Sequence, residues 1–149
     1  MLTISNEISI QSAQSTLFAA LSTEKGLRGW YAHKIKGEVI EGAEFLASSA
    51  AKHESFGWKI LELKPDTLIR WCCLSGPNDG SETTVTFKIY RVSDDKTCVD
   101  CEHAGHHDPG WTLAAWNATW AVWLEHLKNF VETEKQIRRW RESGFGYAL

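Results

Sequence analysis

Residues 3–10, TISNEISI, set apolar Ile4, Ile8 and Ile10 among polar neighbours with a spacing of two. Side chains alternate across a strand, so this spacing predicts a strand with one face on a core. The period then changes. In SAQSTLFAALS (12–22), Leu17, Phe18 and Leu21 share a helical face, and Ser12 is placed to cap it. TEKGLRGWY predicts a second short helix starting near Thr23 and carrying Leu27 and Trp30. Period two returns in HKIKGEVI (33–40) and AEFLASSA (43–50), divided by the turn pair Glu41-Gly42. ESFGWKILELK (54–64) and TLIRWCCL (67–74) meet at Pro65-Asp66 and read as a hairpin. SGPNDGSE (75–82) is a loop dense in turn residues. TTVTFKIYRV (83–92) puts Val85, Phe87 and Ile89 on one face, and SDDK turns the chain into TCVDCEHAG (97–105). Pro109-Gly110 then stops the strands. From Trp111 to about Lys135, Leu113, Trp116, Trp120, Trp123, Leu124, Leu127 and Val131 recur in steps of three and four, the apolar face of one long helix. The tail QIRRWRESGFGYAL (136–149) loses the pattern.

The order is strand, two short helices, a run of antiparallel strands, one long helix. A long amphipathic helix must bury its face, and the sheet is the partner large enough to receive it. The predicted class is α+β, a curved antiparallel sheet wrapped around the C-terminal helix, as a single domain over 1–149. A sheet bent around a helix that it does not fully touch leaves a space between them.

Composition changes this picture in one respect. The chain contains 8 tryptophans in 149 residues. Each buries roughly 150–250 Å², so they either fill a large core or wall a cavity. Hydrophobic residues make up 43%, enough for a core without disulfides. The formal charge of −3 carries no basic footprint, so no nucleic-acid partner is expected. MLTISNEISI lacks the basic and apolar regions of a secretory leader, and no apolar run reaches spanning length, so no membrane insertion is expected. The four cysteines, two of them adjacent, do not form a disulfide framework. The expectation is a cytoplasmic protein with reduced thiols.

CVDCEHAGHHD (98–108) holds the densest candidate chemistry. Strand alternation sends Val99, Cys101 and His103 to the core face and Cys98, Asp100 and Glu102 to the other. Cys98 and Cys101 then cannot share an ion, and a thioredoxin-like C-x-x-C would need a helix N-terminus. Cys73 and Cys101 can meet if their strands are neighbours, as two buried thiols. His106, His107 and Asp108 read as a polar loop between the last strand and the helix. No metal site and no cofactor is expected. His103, aimed inward, is either a satisfied core histidine or a polar group in a cavity.

Three stretches carry a family resemblance: ISIQSAQSTLFAALSTEKGLRGWY, GWKILELKPDTLIRW, and TTVTFKIYR with TCVDCEHAG and WNATWAVWLEHLKNFVE. Together they resemble the activator of heat-shock-protein-90 ATPase homologue-like family. This is a branch of the START-like (SRPBCC) superfamily, which also holds polyketide cyclases, lipid-transfer domains and pollen allergens. The resemblance implies a helix-grip fold with a hydrophobic cavity between helix and sheet. The eukaryotic activators that name the family carry a further N-terminal domain that these residues do not include, which weighs against a chaperone partner.

Three functions follow as alternatives. The first is binding of a small hydrophobic or aromatic molecule by Trp30, Trp58, Trp71, Phe87, Cys101, His103, Trp116, Trp120 and Trp123, with His103 and Arg70 orienting it. The second is a cyclase- or hydrolase-type enzyme in the same cavity, with His103 as general acid or base and His53 and Glu54 as secondary candidates. The third is a co-chaperone-like interaction protein using Arg138, Arg139 and Arg141 around Trp140. A homodimer is compatible with all three.

Overall fold

The strict alternation after residue 83 becomes a strand near the middle of a sheet, with Val85, Phe87 and Ile89 all buried. In the computed structural model, residues 2–49, 54–76, 82–106 and 111–142 are described, without side chains at 111, 112 and 138–142. The elements are β1 (Leu2–Ile10), α1 (Gln14–Ser22), α2 (Glu24–Trp30), β2 (Lys34–Gly37), β3 (Glu44–Ser48), β4 (Ser55–Lys64), β5 (Leu68–Ser75), β6 (Thr84–Ser93), β7 (Lys96–His106) and α3 (Trp111–Glu142). The seven strands form one antiparallel sheet in the order β1-β7-β6-β5-β4-β3-β2. The two short helices carry the chain from one edge of the sheet to the other, and α3 returns along β1 and against α1 and α2. This is the α+β helix-grip arrangement.

Local chemistry explains the joints. Asp66 takes φ of 62° in the β4–β5 turn, where Thr67 N–H donates to the Lys64 carbonyl at 3.1 Å. Thr23 serves both short helices: its Oγ1 donates to the Ala19 carbonyl at 2.7 Å and accepts from Gly26 N–H at 3.0 Å. That satisfies one carbonyl ending α1 and one amide starting α2. Trp30 Nε1 donates to the Ala20 carbonyl at 2.9 Å and pins the end of α2 to α1.

The two helices cross at Gly26. A Cβ there would lie 2.6 Å from Ala19 O, Ala20 Cα and Ala20 O, all backbone atoms that cannot turn aside. Gly26→Ala is therefore expected to lower stability by about 3 kcal/mol, the upper part of the overpacking range. For Gly29→Ala the nearest atoms to the added Cβ belong to the Phe130 ring, a side chain that can move, and the cost is expected to be smaller. Urea unfolding of both variants checks this; equal losses would mean that α1 and α2 separate freely.

Several details differ from expectation. α1 is capped by Ala13 without a side-chain bond, and Ser12 lies one residue too early. Ser12 is instead buried, with its carbonyl accepting from Thr97 Oγ1 at 2.6 Å. β2 and β3 are shorter than the alternation suggested, since Val39 and Ile40 belong to the turn. α3 runs to Glu142 rather than about Lys135, because helical backbone bonds outlast the apolar stripe. Cys73 and Cys101 lie on β5 and β7, which β6 separates.

Candidate functional site

The aromatic face of α3 meets a matching face of the sheet. Trp116 and Trp120 from α3, Trp58 and Trp71 from β4 and β5, and Phe87 from β6 are all fully buried. Their rings contact one another edge-to-face or tilted. Trp71 and Phe87 have centroids 5.0 Å apart at 73°, Phe87 and Trp120 5.5 Å at 74°, and Trp58 and Trp71 5.4 Å at 49°. These are favourable quadrupole geometries. Trp30 is also buried, tied to α1 through its indole nitrogen.

His103 sits inside this cluster with no exposure. Trp120 Nε1–H donates to its Nδ1 at 3.0 Å, and its Nε2 lies 2.6 Å from Thr83 Oγ1. The indole can only donate, so Nδ1 is the acceptor and Nε2–H donates to Thr83. Burial, helped by the neighbouring His106, lowers the pKa of His103 to about 3. A neutral imidazole with both nitrogens engaged ties α3 to the sheet.

His106 was read as part of a loop, but it ends β7 and is buried. Gly105, at φ 98°, sits at an irregularity where Thr3 faces Ala104 and Leu2 faces His106. The extra residue resets strand parity, so His106 turns to the same side as His103, ring centroids 4.3 Å apart. Arg70 also moves out of the proposed cavity. The parity that buries Ile69 and Trp71 sends Arg70 to the outer face, where it pairs with Glu62 at 3.1 Å and Thr86 at 3.2 Å. Burial raises the Cys73 and Cys98 thiols to about 11 and Cys101 well above its usual range, with nearby carboxylates adding to the effect at Cys98 and Cys101. They are protonated at neutral pH and are poor nucleophiles. His53, His107 and Asp108 lie outside the described residues.

An accessible space lies at one end of the grip, between α3 and the β3–β4 edge. It is a recess of about 370 Å³. Trp123, the one member of the predicted aromatic set that lines it, meets Tyr31 at 4.8 Å and 90° and Phe56 at 5.3 Å and 87°. Ser48, Ser49, Glu54, Thr119 and His126 add polar groups. Glu54 was a secondary candidate from the sequence; Tyr31, Phe56 and His126 were not. Their signals were the GWY ending α2, the inward parity of Phe56, and an i, i+3 relation between Trp123 and His126. Larger grooves, of about 590 and 410 Å³, flank Phe130 on the outside of α2 and α3. Glu24, Lys25, Arg28 and Glu134 line the first, as expected of a solvated face.

Tyr31 links the recess to the core. Its hydroxyl oxygen accepts from Trp58 Nε1–H at 2.8 Å, and burial holds its pKa far above the usual phenol range. It is a neutral donor at any physiological pH.

Residues 12–132 match the family model described as "Activator of Hsp90 ATPase homolog 1-like protein". The chain belongs to this family. No curated protein matches it. Among solved structures, it is similar to the Aha1 dimer from Colwellia psychrerythraea, with 25% identity, 89% of this chain and 97% of that one covered, and a TM-score of 0.78. CalU16 from Micromonospora echinospora is similar at 16% identity, covering 98% of this chain and 88% of that one, with a TM-score of 0.72. Norcoclaurine synthase from Thalictrum flavum, in complex with dopamine and hydroxybenzaldehyde, shares the fold at 11% identity, covering 89% of this chain and 87% of that one, with a TM-score of 0.68. The family is the one that the three stretches of sequence resemble, and the fold is the helix grip that the order of elements predicts.

Proposed function

We propose that this chain binds a small aromatic or otherwise apolar molecule in the recess between α3 and the β3–β4 edge. The observation that carries the reading is an accessible volume of about 370 Å³ bordered by three rings, with Tyr31 and Phe56 each packed edge-to-face on Trp123. Ligand sites are typically about 300–1,000 Å³, mostly apolar, with a few polar groups that fix orientation. Glu54, His126 and the two serines supply those groups. The fully buried tryptophans behind Trp123 form a rigid backing and not the contact surface. The fold similarity to norcoclaurine synthase, solved with two aromatic compounds, supports the reading.

The test is calorimetric titration with a panel of neutral one- and two-ring aromatics, on the wild type and on Trp123→Ala. Trp123 is only half-buried, so its loss leaves the deep core in place. Removing a central aromatic anchor is expected to weaken binding by about tenfold or more. A panel without any binder at millimolar concentration would refute the reading.

A further inference from the structure

The hydrogen-bond pattern at Tyr31 specifies more than an apolar wall. The phenol has one proton and two lone pairs. Trp58 Nε1–H, fully buried, occupies the acceptor side at 2.8 Å. The proton itself has no acceptor among the described residues. The next ring inward repeats the pattern. Trp71, centroid 6.0 Å from Tyr31, carries a fully buried Nε1–H without an acceptor among the described residues. Of these two donors, Tyr31 lines the recess, and Trp71 lies behind it. A buried donor without a partner costs free energy, and the group that removes that cost brings an oxygen with it.

We infer that Tyr31 is the orienting donor of the recess, and that its occupant is an aromatic compound presenting an uncharged carbonyl oxygen to the Tyr31 hydroxyl. This rests on the binding reading above and deepens it. The oxygen is uncharged for two reasons. A carboxylate placed among Tyr31, Phe56 and Trp123 would lose its hydration for a single hydrogen bond. It would also share the recess with the Glu54 side chain. A ketone, aldehyde or amide oxygen accepts the same bond without either cost. The Trp58 N–H strengthens the phenol as a donor, since a hydroxyl that accepts a bond is polarised toward giving one. Orientation follows: the carbonyl lies inward, the ring against Trp123, and polar substituents toward Glu54 and His126.

The experiment compares 2-acetylnaphthalene with 2-ethylnaphthalene, which has similar shape but no oxygen, by calorimetry on the wild type and on Tyr31→Phe. The wild type is expected to prefer the ketone by about tenfold, the scale of one hydrogen bond to an otherwise unpaired buried donor. Tyr31→Phe is expected to remove that preference while leaving the hydrocarbon's affinity within about twofold. Equal binding of both probes to the wild type overturns the inference and leaves the binding reading standing. Binding of neither probe overturns the inference, and the aromatic panel above then decides the binding reading. Equal weakening of both probes in Tyr31→Phe would make the residue a packing element and overturn its donor role. A readout independent of the variant's folding is the carbonyl stretch of isotopically labelled 2-acetylnaphthalene bound to the wild type. It should shift to lower frequency than in an alkane; an unshifted band rejects the hydrogen bond.

Discussion

Trp58→Ala is expected to cost about 3–5 kcal/mol of unfolding free energy, the range for deleting a large buried aromatic. Trp58 has no exposure and touches the aromatic network on every side: Phe56 at 6.3 Å, Trp71 at 5.4 Å, His103 at 6.4 Å, and Trp116 and Trp120 each at 6.5 Å between ring centroids. These neighbours come from three strands and the long helix, so no single element can move in to fill the gap. Deletion also removes the donor to Tyr31. For a domain of this size the loss corresponds to roughly 10–15 °C in melting midpoint. Trp58→Phe keeps a ring in place and loses mainly the hydrogen bond and part of the volume; it should cost less than half as much. Guanidinium unfolding followed by far-UV circular dichroism checks both, without depending on tryptophan emission. A loss below about 1 kcal/mol for the alanine variant would mean that the centre of the grip is loosely packed. In that case the boundary drawn between a solid interior and a recess at its end would have to be abandoned. The same variant should weaken aromatic ligands, because Tyr31 would lose the contact that fixes its hydroxyl.

Much of this arrangement is legible in the residues themselves. The turn at Pro65-Asp66, the alternation of Val85, Phe87 and Ile89, and the helical spacing of Trp116, Trp120 and Trp123 each report a local periodicity that the folded chain keeps. The inward parity of Val99, Cys101 and His103 is also kept. Arg70 was readable by the same rule, since a residue beside an inward Trp71 must face out. His106 was not, because one glycine at positive φ changes parity and the sequence does not mark which glycine does so. Whether the tryptophans fill or frame a space was the harder question. Spacing puts rings on a face, but interplanar angles decide whether they close against one another, and those depend on strand pairings far apart in the chain. Tyr31 shows the difficulty on the smallest scale. Trp30 turns back onto α1 through its indole nitrogen, and its neighbour turns to the recess. One helical step separates a packing residue from a site residue.

The second large effect is loss of stability in acid, and it follows from His103. The unfolded chain takes up this proton near pH 6.5, whereas the folded chain, which buries the ring, holds it off until about pH 3. Between those values the unfolded state binds the extra proton, so stability is fully present above pH 6.5 and falls as pH drops toward 3. The full shift corresponds to about 5 kcal/mol, of which about 2 kcal/mol is lost by pH 5. Geometry gives the same sign independently. Protonation at Nδ1 would set a hydrogen against the Trp120 Nε1–H that now donates to it at 3.0 Å. The groups around the ring offer no compensation: Trp58, Trp116 and Trp120 carry no charge, Thr83 is a hydroxyl already engaged with Nε2, and a charged His106 would repel. His103→Gln keeps an acceptor for Trp120 and a donor for Thr83 but cannot titrate. Urea unfolding at pH 7.5 and pH 5 should therefore show a drop in the wild type that is about 2 kcal/mol larger than in the glutamine variant. The comparison of slopes cancels every ionisable group other than residue 103, since the two proteins share all of them. If the two slopes coincide, His103 is not the group that acid attacks, and its place as a neutral link between α3 and the sheet would be lost.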